Sequence, residues 1–356
     1  MSGTESDDIA RLAARLDDAS AAARNAYRDT ARLIRLLTVL SSPSAPDQLL
    51  STALHVLSEV FNSDVVCVVS VLGERFLVTT ASGLAEDDTS FGDGWTLGHA
   101  ATEAAVTGAP VARMLADGSE DVPAALAGLG LRSAAFVPMS ANELLVLYRS
   151  NGEAFDGTDL HVLASVARRL AVAAQDRERA VAIECLARSG HLLAPHLDPD
   201  SLMHTAAELM EQLTMSDDAW IIGIADGNAY QRAHHGSAPE DRATKVARPV
   251  EKLRAWEYAT KGEIWTATAR PFSGTVPRTV LCIPVLHDGS PILLLYASRN
   301  RPRPFSAEII EIATILASYF GTALENAGLY DELRRQATRD SLTGLANRDI
   351  AKQRLD

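Results

Sequence analysis

A chain of 356 residues exceeds one ordinary hydrophobic core and suffices for two domains of about 150 residues with connecting helices. Hydrophobic residues make up 47% and charged residues 22%, the balance of a chain that folds rather than one that stays disordered. The net charge is −13 and the basic residues are scattered among acidic neighbours, so nucleic acid is not an expected partner.

In chain order, the polar and acidic start, Met1 to Asp8, does not resemble a signal peptide. Residues 1–41 then carry Ile9, Leu12, Leu16, Ala19, Ala23, Ala26, Thr30, Leu33, Leu37 and Leu40 at alternating steps of three and four. That is a heptad seam, expected as a coiled-coil helix through which Leu12, Leu16, Leu33, Leu37 and Leu40 meet a second copy of the chain. Residues 42–175 read as a domain. Gln48–Phe61 has helical spacing, Val65–Leu72 and Phe76–Thr80 read as strands, and Ala134–Pro138 with Glu143–Arg149 read as a hairpin turned at Ala141-Asn142. A long helix follows Phe155 and continues as a helical linker over 176–194.

The pattern repeats over 195–325. Ala45-Pro46-Asp47-Gln48-Leu49-Leu50 returns as Asp198-Pro199-Asp200-Ser201-Leu202-Met203, and Gly83 returns as Gly236. Thr107-Gly108, Val137-Pro138, Tyr148 and Phe155 match Lys261-Gly262, Ile283-Pro284, Tyr296 and Phe305. The spacing shortens after the glycine pair, which puts extra residues of the first copy near Asp117 to Leu129. The implied fold class is α+β: two domains, each an antiparallel sheet flanked by helices, joined and flanked by long coiled-coil-like helices. A second seam, Ile309, Ile312, Leu316, Tyr319, Ala323, Asn326, Tyr330, Leu333 and Ala337, runs from the end of the second domain into a signalling helix at 326–339, with Asn326 as a polar register-setting position.

Uninterrupted apolar runs such as Leu144–Tyr148 and Ile292–Tyr296 are strand-sized and short of the roughly 20 residues of a membrane helix. No membrane association is expected, and a cytoplasmic location follows. Cys67, Cys185 and Cys282 form no CxxC pair and have no His at metal spacing, so each reads as a small apolar residue rather than a zinc ligand or disulfide partner.

The stretch Gly92-Asp93-Gly94-Trp95-Thr96-Leu97-Gly98-His99, continuing to Thr107-Gly108-Ala109-Pro110-Val111, resembles the glycine-rich middle of GAF domains. A dinucleotide loop would need a strand before it, and Thr89–Phe91 is too short and polar for one. The second copy lacks the glycine cluster but keeps the framework positions. At residues 340–356, Asp340-Ser341-Leu342-Thr343-Gly344-Leu345-Ala346-Asn347-Arg348 resembles the opening segment of GGDEF domains, the diguanylate cyclases. This resemblance implies a homodimeric tandem-GAF regulatory module whose helices rearrange to control conversion of GTP to cyclic di-GMP, with GTP and Mg²⁺ belonging to the cyclase domain alone. The sequence contains no GGDEF or GGEEF string, so no catalytic residue is assigned. The alternative is a non-enzymatic GAF ligand-binding or scaffold protein. No GxSxG, HExxH or Walker loop supports a different enzyme.

The GAF resemblance also implies a small-molecule ligand between the sheet and the loop-rich middle. Candidates are Phe91, Trp95, His99, Thr102 and Met114 in the first copy, and His234, Arg254, Trp256, Tyr258 and Trp265 in the second. No ligand is named. The cyclic-nucleotide pattern is incomplete at Leu160, Ile309 and Ile310, a lone His99 or His234 is weak evidence for haem, and no cysteine is followed by the His a bilin site would carry. No metal and no resident cofactor are expected.

Overall fold

The computed structural model describes residues 34–36, 38–39, 46–72, 75–84, 95–96, 98–193, 198–237, 247–269, 278–301 and 303–338. The expected N-terminal seam at Leu12, Leu16, Leu33, Leu37 and Leu40, and the segment 340–356, lie outside these residues. The chain divides into two compact units, Met1–Gln175 and Asp176–Asp356.

The first unit contains α1 (Pro46–Val60), β1 (Val65–Leu72), β2 (Arg75–Ser82), β3 (Trp95–Thr96), α2 (His99–Thr107) and β4 (Val111–Met114). A 3₁₀ turn at Ala124–Leu129, β5 (Ser133–Ser140), β6 (Glu143–Arg149) and the start of α3 (Gly157–Leu193) complete it. The second contains α4 (Pro199–Thr214), β7 (Asp218–Ala225), β8 (Asn228–Gly236), β9 (Arg248–Pro249) and a 3₁₀ turn at Val250–Lys252. Then come α5 (Trp256–Ala259), β10 (Trp265–Ala269), β11 (Arg278–His287), β12 (Ser290–Arg299) and α6 (Ala307–Thr338). The sheets are six-stranded, ordered β3-β2-β1-β6-β5-β4 and β10-β11-β12-β7-β8-β9, which is one topology seen from opposite edges. All pairings are antiparallel.

Strand alternation explains the two layers. In the first unit Val66, Val68, Val137, Leu145 and Leu147 pack against Leu54 and Leu57 of α1 and Leu163 and Leu170 of α3. Their alternates Cys67, Val69, Phe136, Val146 and Tyr148 pack against Ala100, Ala101 and Ala104 of α2. With both faces covered, these strands read as unbroken apolar runs. In the second unit Ile221, Leu281, Ile283, Leu293 and Leu295 face Met203, Met210 and Leu213 of α4 and Ile309, Leu316 and Phe320 of α6, with Ala182 and Cys185 of α3 in the same cluster.

The repeated sequence marks have local causes. Asp198 caps α4 by accepting from Ser201 N at 2.9 Å, with Pro199 at the first helical position where no amide hydrogen is needed. Gly83 and Gly236 have φ of +85° and +132°, and a Cβ at either would strike the carbonyl oxygen of Asp64 or Asp217. The first unit's longer connection between β4 and β5 contains Asp117–Leu129, where the sequence places the extra residues.

One correspondence needs correction. Tyr148 pairs with Val65, whereas Tyr296 pairs with Trp220, two residues further into its strand. The match to Tyr148 by strand register is Ser298, which pairs with Asp218. Arg149 and Arg299 are the true counterparts, and each locks the end of the last strand. Arg149 Nε donates to Phe61 O at 2.8 Å, NH1 donates to Ala154 O at 3.2 Å, and its guanidinium lies 3.8 Å from the Phe155 ring centroid. Arg299 NH2 donates to Thr214 O at 2.7 Å, NH1 donates to Pro304 O at 3.3 Å, and its guanidinium lies 4.4 Å from the Phe305 centroid. The following amides, Ser150 N and Asn300 N, each donate at 2.6 Å to Asp64 and Asp217.

The two arginines differ in their carboxylates. Arg149 takes Asp159, at the start of the helix that follows its strand. Arg299 faces Glu178 of α3 at 3.8 Å, and Arg303 closes on the same oxygen at 2.9 Å, with the Glu178 side chain only 6% exposed. A carboxylate so deep in the protein depends on its cations.

Single polar residues interrupt the apolar sequence of α6, so no unbroken run marks it. Ala307–Gly328 has a mean hydropathy of 1.4 and the length to cross a membrane by composition. Ile309, Ala313, Leu316, Ala317 and Phe320 place one side of it in the second unit's core.

Arg299→Met is expected to lower the unfolding free energy of the second unit by about 3 kcal/mol in urea titration, because it removes a cation from buried Glu178 and a donor from Thr214 O. A loss below about 1 kcal/mol would contradict the clamp. A milder pH effect sits at the β11–β12 turn, where His287 Nδ1 meets Glu325 Oε1 of α6 at 3.0 Å. The hydrogen bond to Glu325, with the charge of Asp288, holds the imidazole pKa above its ordinary 6.5. The protonated form is therefore favoured by folding, and the contact is complete at acid pH and lost as pH rises through the folded pKa. An NMR titration of His287 should show a midpoint above 6.5 that Glu325→Gln brings back down.

Candidate ligand site

The face of the second sheet turned away from α4 and α6 carries a transverse row made by register alone. His234 pairs with Trp220, Trp220 with Tyr296, Tyr296 with Cys282, and Cys282 with Trp265, crossing β8, β7, β12, β11 and β10. Directly paired residues share a face, so these side chains stand side by side. Trp220 and His234 stack with ring centroids 5.3 Å apart and planes 23° from parallel. His234 Nε2 lies 3.3 Å from Oδ1 of fully buried Asp218, which orients the ring.

Over one end of the row, Ala255 and Ala259 of the α5 region pack with Cys282 and Leu294, and Ile222, Ile224, Leu253, Trp256, Trp265 and Tyr296 border the same cluster. The Tyr296 hydroxyl bonds to the Cys282 sulfur; burial raises the tyrosine pKa and pushes the thiol up to about 12. Cys282 is therefore a neutral thiol at physiological pH, with no nucleophilic character. The row is aromatic, lightly polar and half-buried to buried: Trp220, Tyr296 and Trp265 are partly covered, Cys282 is buried, and the His234 side chain is only 7% exposed.

Of the candidates read from sequence, His234, Trp256 and Trp265 belong to this face. Arg254 is exposed and Tyr258 is 41% exposed, so neither joins it. Trp220, Cys282 and Tyr296 are not among the sequence candidates, because they lie on strands and not in the loop-rich middle. Their signal was the period of two within strands, together with the register that unites them.

The first unit differs. Tyr148 packs edge-on to Phe136 with centroids 6.1 Å apart, and its hydroxyl donates at 3.0 Å to the carbonyl of Asp121 in the longer connection. Asp121 Oδ1 in turn accepts from Ala100 N of α2 at 2.9 Å. The space among Val69, Phe76, Ala101, Asp121, Phe136 and Tyr148 is about 10 Å³, room for about one water at most. The expected grouping of first-copy candidates is not borne out among the described residues. His99 and Thr102 are exposed, Met114 is 58% exposed, Phe91 lies outside the description, and of Trp95 only the backbone pairing with Phe76 is described. The alanines of α2 point inward and its larger residues outward, so the helix seals the space.

The second helical seam is divided. Leu316 is fully buried in its own unit's core and Ile312 packs against that core, so neither is available to a second chain at that level, whereas Tyr319 is 50% exposed and Asn326 is exposed. The side chains of Tyr330 and Leu333 lie outside the description. Tyr319, Ala323 and Asn326 line a groove of about 850 Å³ with the second half of α3. No group of three or more His, Cys, Asp or Glu side chains able to hold a metal ion occurs among the described residues.

The GAF domain family model matches residues 196–325. Solved structures similar to the chain include the GAF domain of an Acinetobacter phosphoenolpyruvate-protein phosphotransferase, at 14% identity over 41% of this chain and 94% of that one, with a TM-score of 0.36. The second GAF domain of DevS from Mycobacterium smegmatis is 20% identical over 38% and 99%, with a TM-score of 0.35. The GAF domain of a putative sensor histidine kinase from Pseudomonas syringae pv. tomato is 20% identical over 45% and 97%, with a TM-score of 0.36. No curated protein matches.

All of Cys67, Cys185 and Cys282 are buried, with pKa values pushed up to about 12, 11 and 12. Titration of the native protein with a thiol reagent at pH 8 should leave all three unreacted, and denaturant should expose Cys67 with the first unit and Cys185 and Cys282 with the second. Rapid reaction of Cys282 in the native state would show that the row is open to solvent at its centre.

Proposed function

We propose, taking as premise that residues 196–325 form a GAF domain, that this chain is the regulatory part of a signalling protein. In this reading a small molecule binds the aromatic face of the second unit, and α6 passes the change to an output domain beginning near Asp340. The observation that carries the reading is the row from His234 to Trp265, an apolar and aromatic surface with one polar end held by Asp218. Tyr296 and Leu295 are adjacent on β12, one on that face and the other in the core cluster with Leu316 and Phe320 of α6. A ligand that shifts β12 therefore acts on the helix that leads onward.

Three finer elements extend the reading. The first unit is a second GAF domain by its identical strand order, plugged and serving as a spacer. The output is a diguanylate cyclase, by resemblance of Asp340–Arg348 to that family's opening segment. The protein works as a homodimer in the cytoplasm, without nucleic acid or membrane, because a cyclase that joins two GTP molecules needs two domains brought face to face. GTP and Mg²⁺ would be held by the cyclase domain; among the described residues no cluster of His, Cys, Asp or Glu could hold the metal, and no step of that reaction is assigned to them.

Native mass spectrometry of the purified chain, with its absorption spectrum, tests the ligand. A noncovalent small molecule should accompany the wild type and be lost from Trp220→Ala with the fold retained by circular dichroism. A wild type without any bound mass, and whose tryptophan emission responds to no member of a metabolite panel, would contradict it. Incubating the native gene product with GTP and Mg²⁺ tests the output separately. Cyclic di-GMP is the expected product, and its absence would remove the cyclase while leaving the ligand reading in place.

A further inference from the structure

We propose that the molecule bound on the aromatic face of the second unit is a neutral, planar, fused-ring aromatic whose N–H edge donates a hydrogen bond to Gln231. The inference rests on the reading above that a small molecule occupies this face, and it names the chemical class.

The placement of Gln231 follows from an irregularity in β8. Pairing with β7 runs in step through His235 with Ala219, His234 with Trp220 and Ala233 with Ile221, but the next pair is Gln231 with Ile222, so Arg232 is the extra residue of a β-bulge. Strict alternation from His234 would put Arg232 on the aromatic face and turn Gln231 toward the core. With the bulge, Gln231 stands on the same face as its partner Ile222, next after His234 along β8. Arg232 turns the other way, where NH2 donates to Asp200 Oδ1 of α4 at 3.0 Å. The bulge therefore sets an amide and an imidazole together beside the Trp220 indole and turns a cation away from them.

The chemistry of the ligand follows from what this end of the face lacks and holds. Gln231 Oε1 is buried and accepts no hydrogen bond. An acceptor left unmet in the interior costs stability, and a donor on the ligand recovers it. The group carrying that donor has to be flat and apolar, because its surroundings are Ile222, Leu294 and the rings of Trp220 and Tyr296. Neighbouring strands lie about 4.8 Å apart, so a two-ring system reaches from Gln231 on β8 across β7 to Tyr296 on β12. Charge excludes acids. Asp218 is fully buried at this end, and of the nearby described cations Arg232 is engaged on the opposite side while Lys252 and Arg254 are exposed. A phosphate or carboxylate on the ligand would face a buried carboxylate with no compensating cation among the described residues of the face.

Calorimetric titration of the full chain with indole and with benzofuran, the same shape with and without the N–H, tests this. The wild type should bind indole about tenfold more tightly. Gln231→Leu, of similar size and without an acceptor, should bind the two probes equally and melt at a higher temperature than the wild type, because the unmet acceptor is gone. Trp220→Ala should lose both probes. Equal affinities in the wild type would overturn the assigned donor and leave the ligand reading in place. A lower melting temperature in Q231L, with the preference for indole retained, would make Gln231 a structural residue and overturn its role as acceptor. Binding of neither probe at millimolar concentration would overturn the chemical class, and the native mass measurement would still decide separately whether the face holds a ligand.

Discussion

The second unit depends on what happens at the end of β12. Arg299 sits where a strand stops, a helix has just ended at Thr214, and the chain is about to enter α6 through Pro304 and Phe305. Its hydrogen bonds and ring contact turn the ends of three elements into one junction, and Glu178 brings α3 to the same place. Burying this many charges is tolerable only when each is met, so the geometry is narrow: a displacement of α3 along its axis separates Glu178 from two guanidinium groups at once. In the first unit Arg149 performs the same closure, but takes its carboxylate from the helix that follows. The difference makes the helix entering the second unit part of that unit's junction.

Upon this common frame the units diverge in what their sheets face. The first spends its longer connection on filling: Asp121 caps α2, receives Tyr148, and leaves no room between them. The second has a shorter connection and retains Trp220, Tyr296 and Trp265 as a half-buried aromatic row. The proposed ligand face therefore belongs to the second unit, and the corresponding space of the first is filled.

Much of the frame was legible in sequence because it rests on local physics. Pro199 after a capping Asp198, Gly83 and Gly236 at positive φ, and β-branched runs covered on both faces each leave a mark within a few residues. What sequence could not supply was register. Tyr148 and Tyr296 look equivalent by spacing, yet pairing puts them two residues apart, and the row from His234 to Trp265 joins positions separated by tens of residues. Spacing also found the apolar period of α6 without its neighbours; Leu316 goes to the core and Tyr319 to the outside.

Native-state hydrogen exchange, followed peptide by peptide across rising denaturant, tests the central claim that one junction holds α3, β12 and α6 together. The account requires amides of 178–193, 290–299 and 307–320 to open with a single free energy and a shared denaturant dependence. Independent opening of α6 well before β12 and the second half of α3 would contradict it.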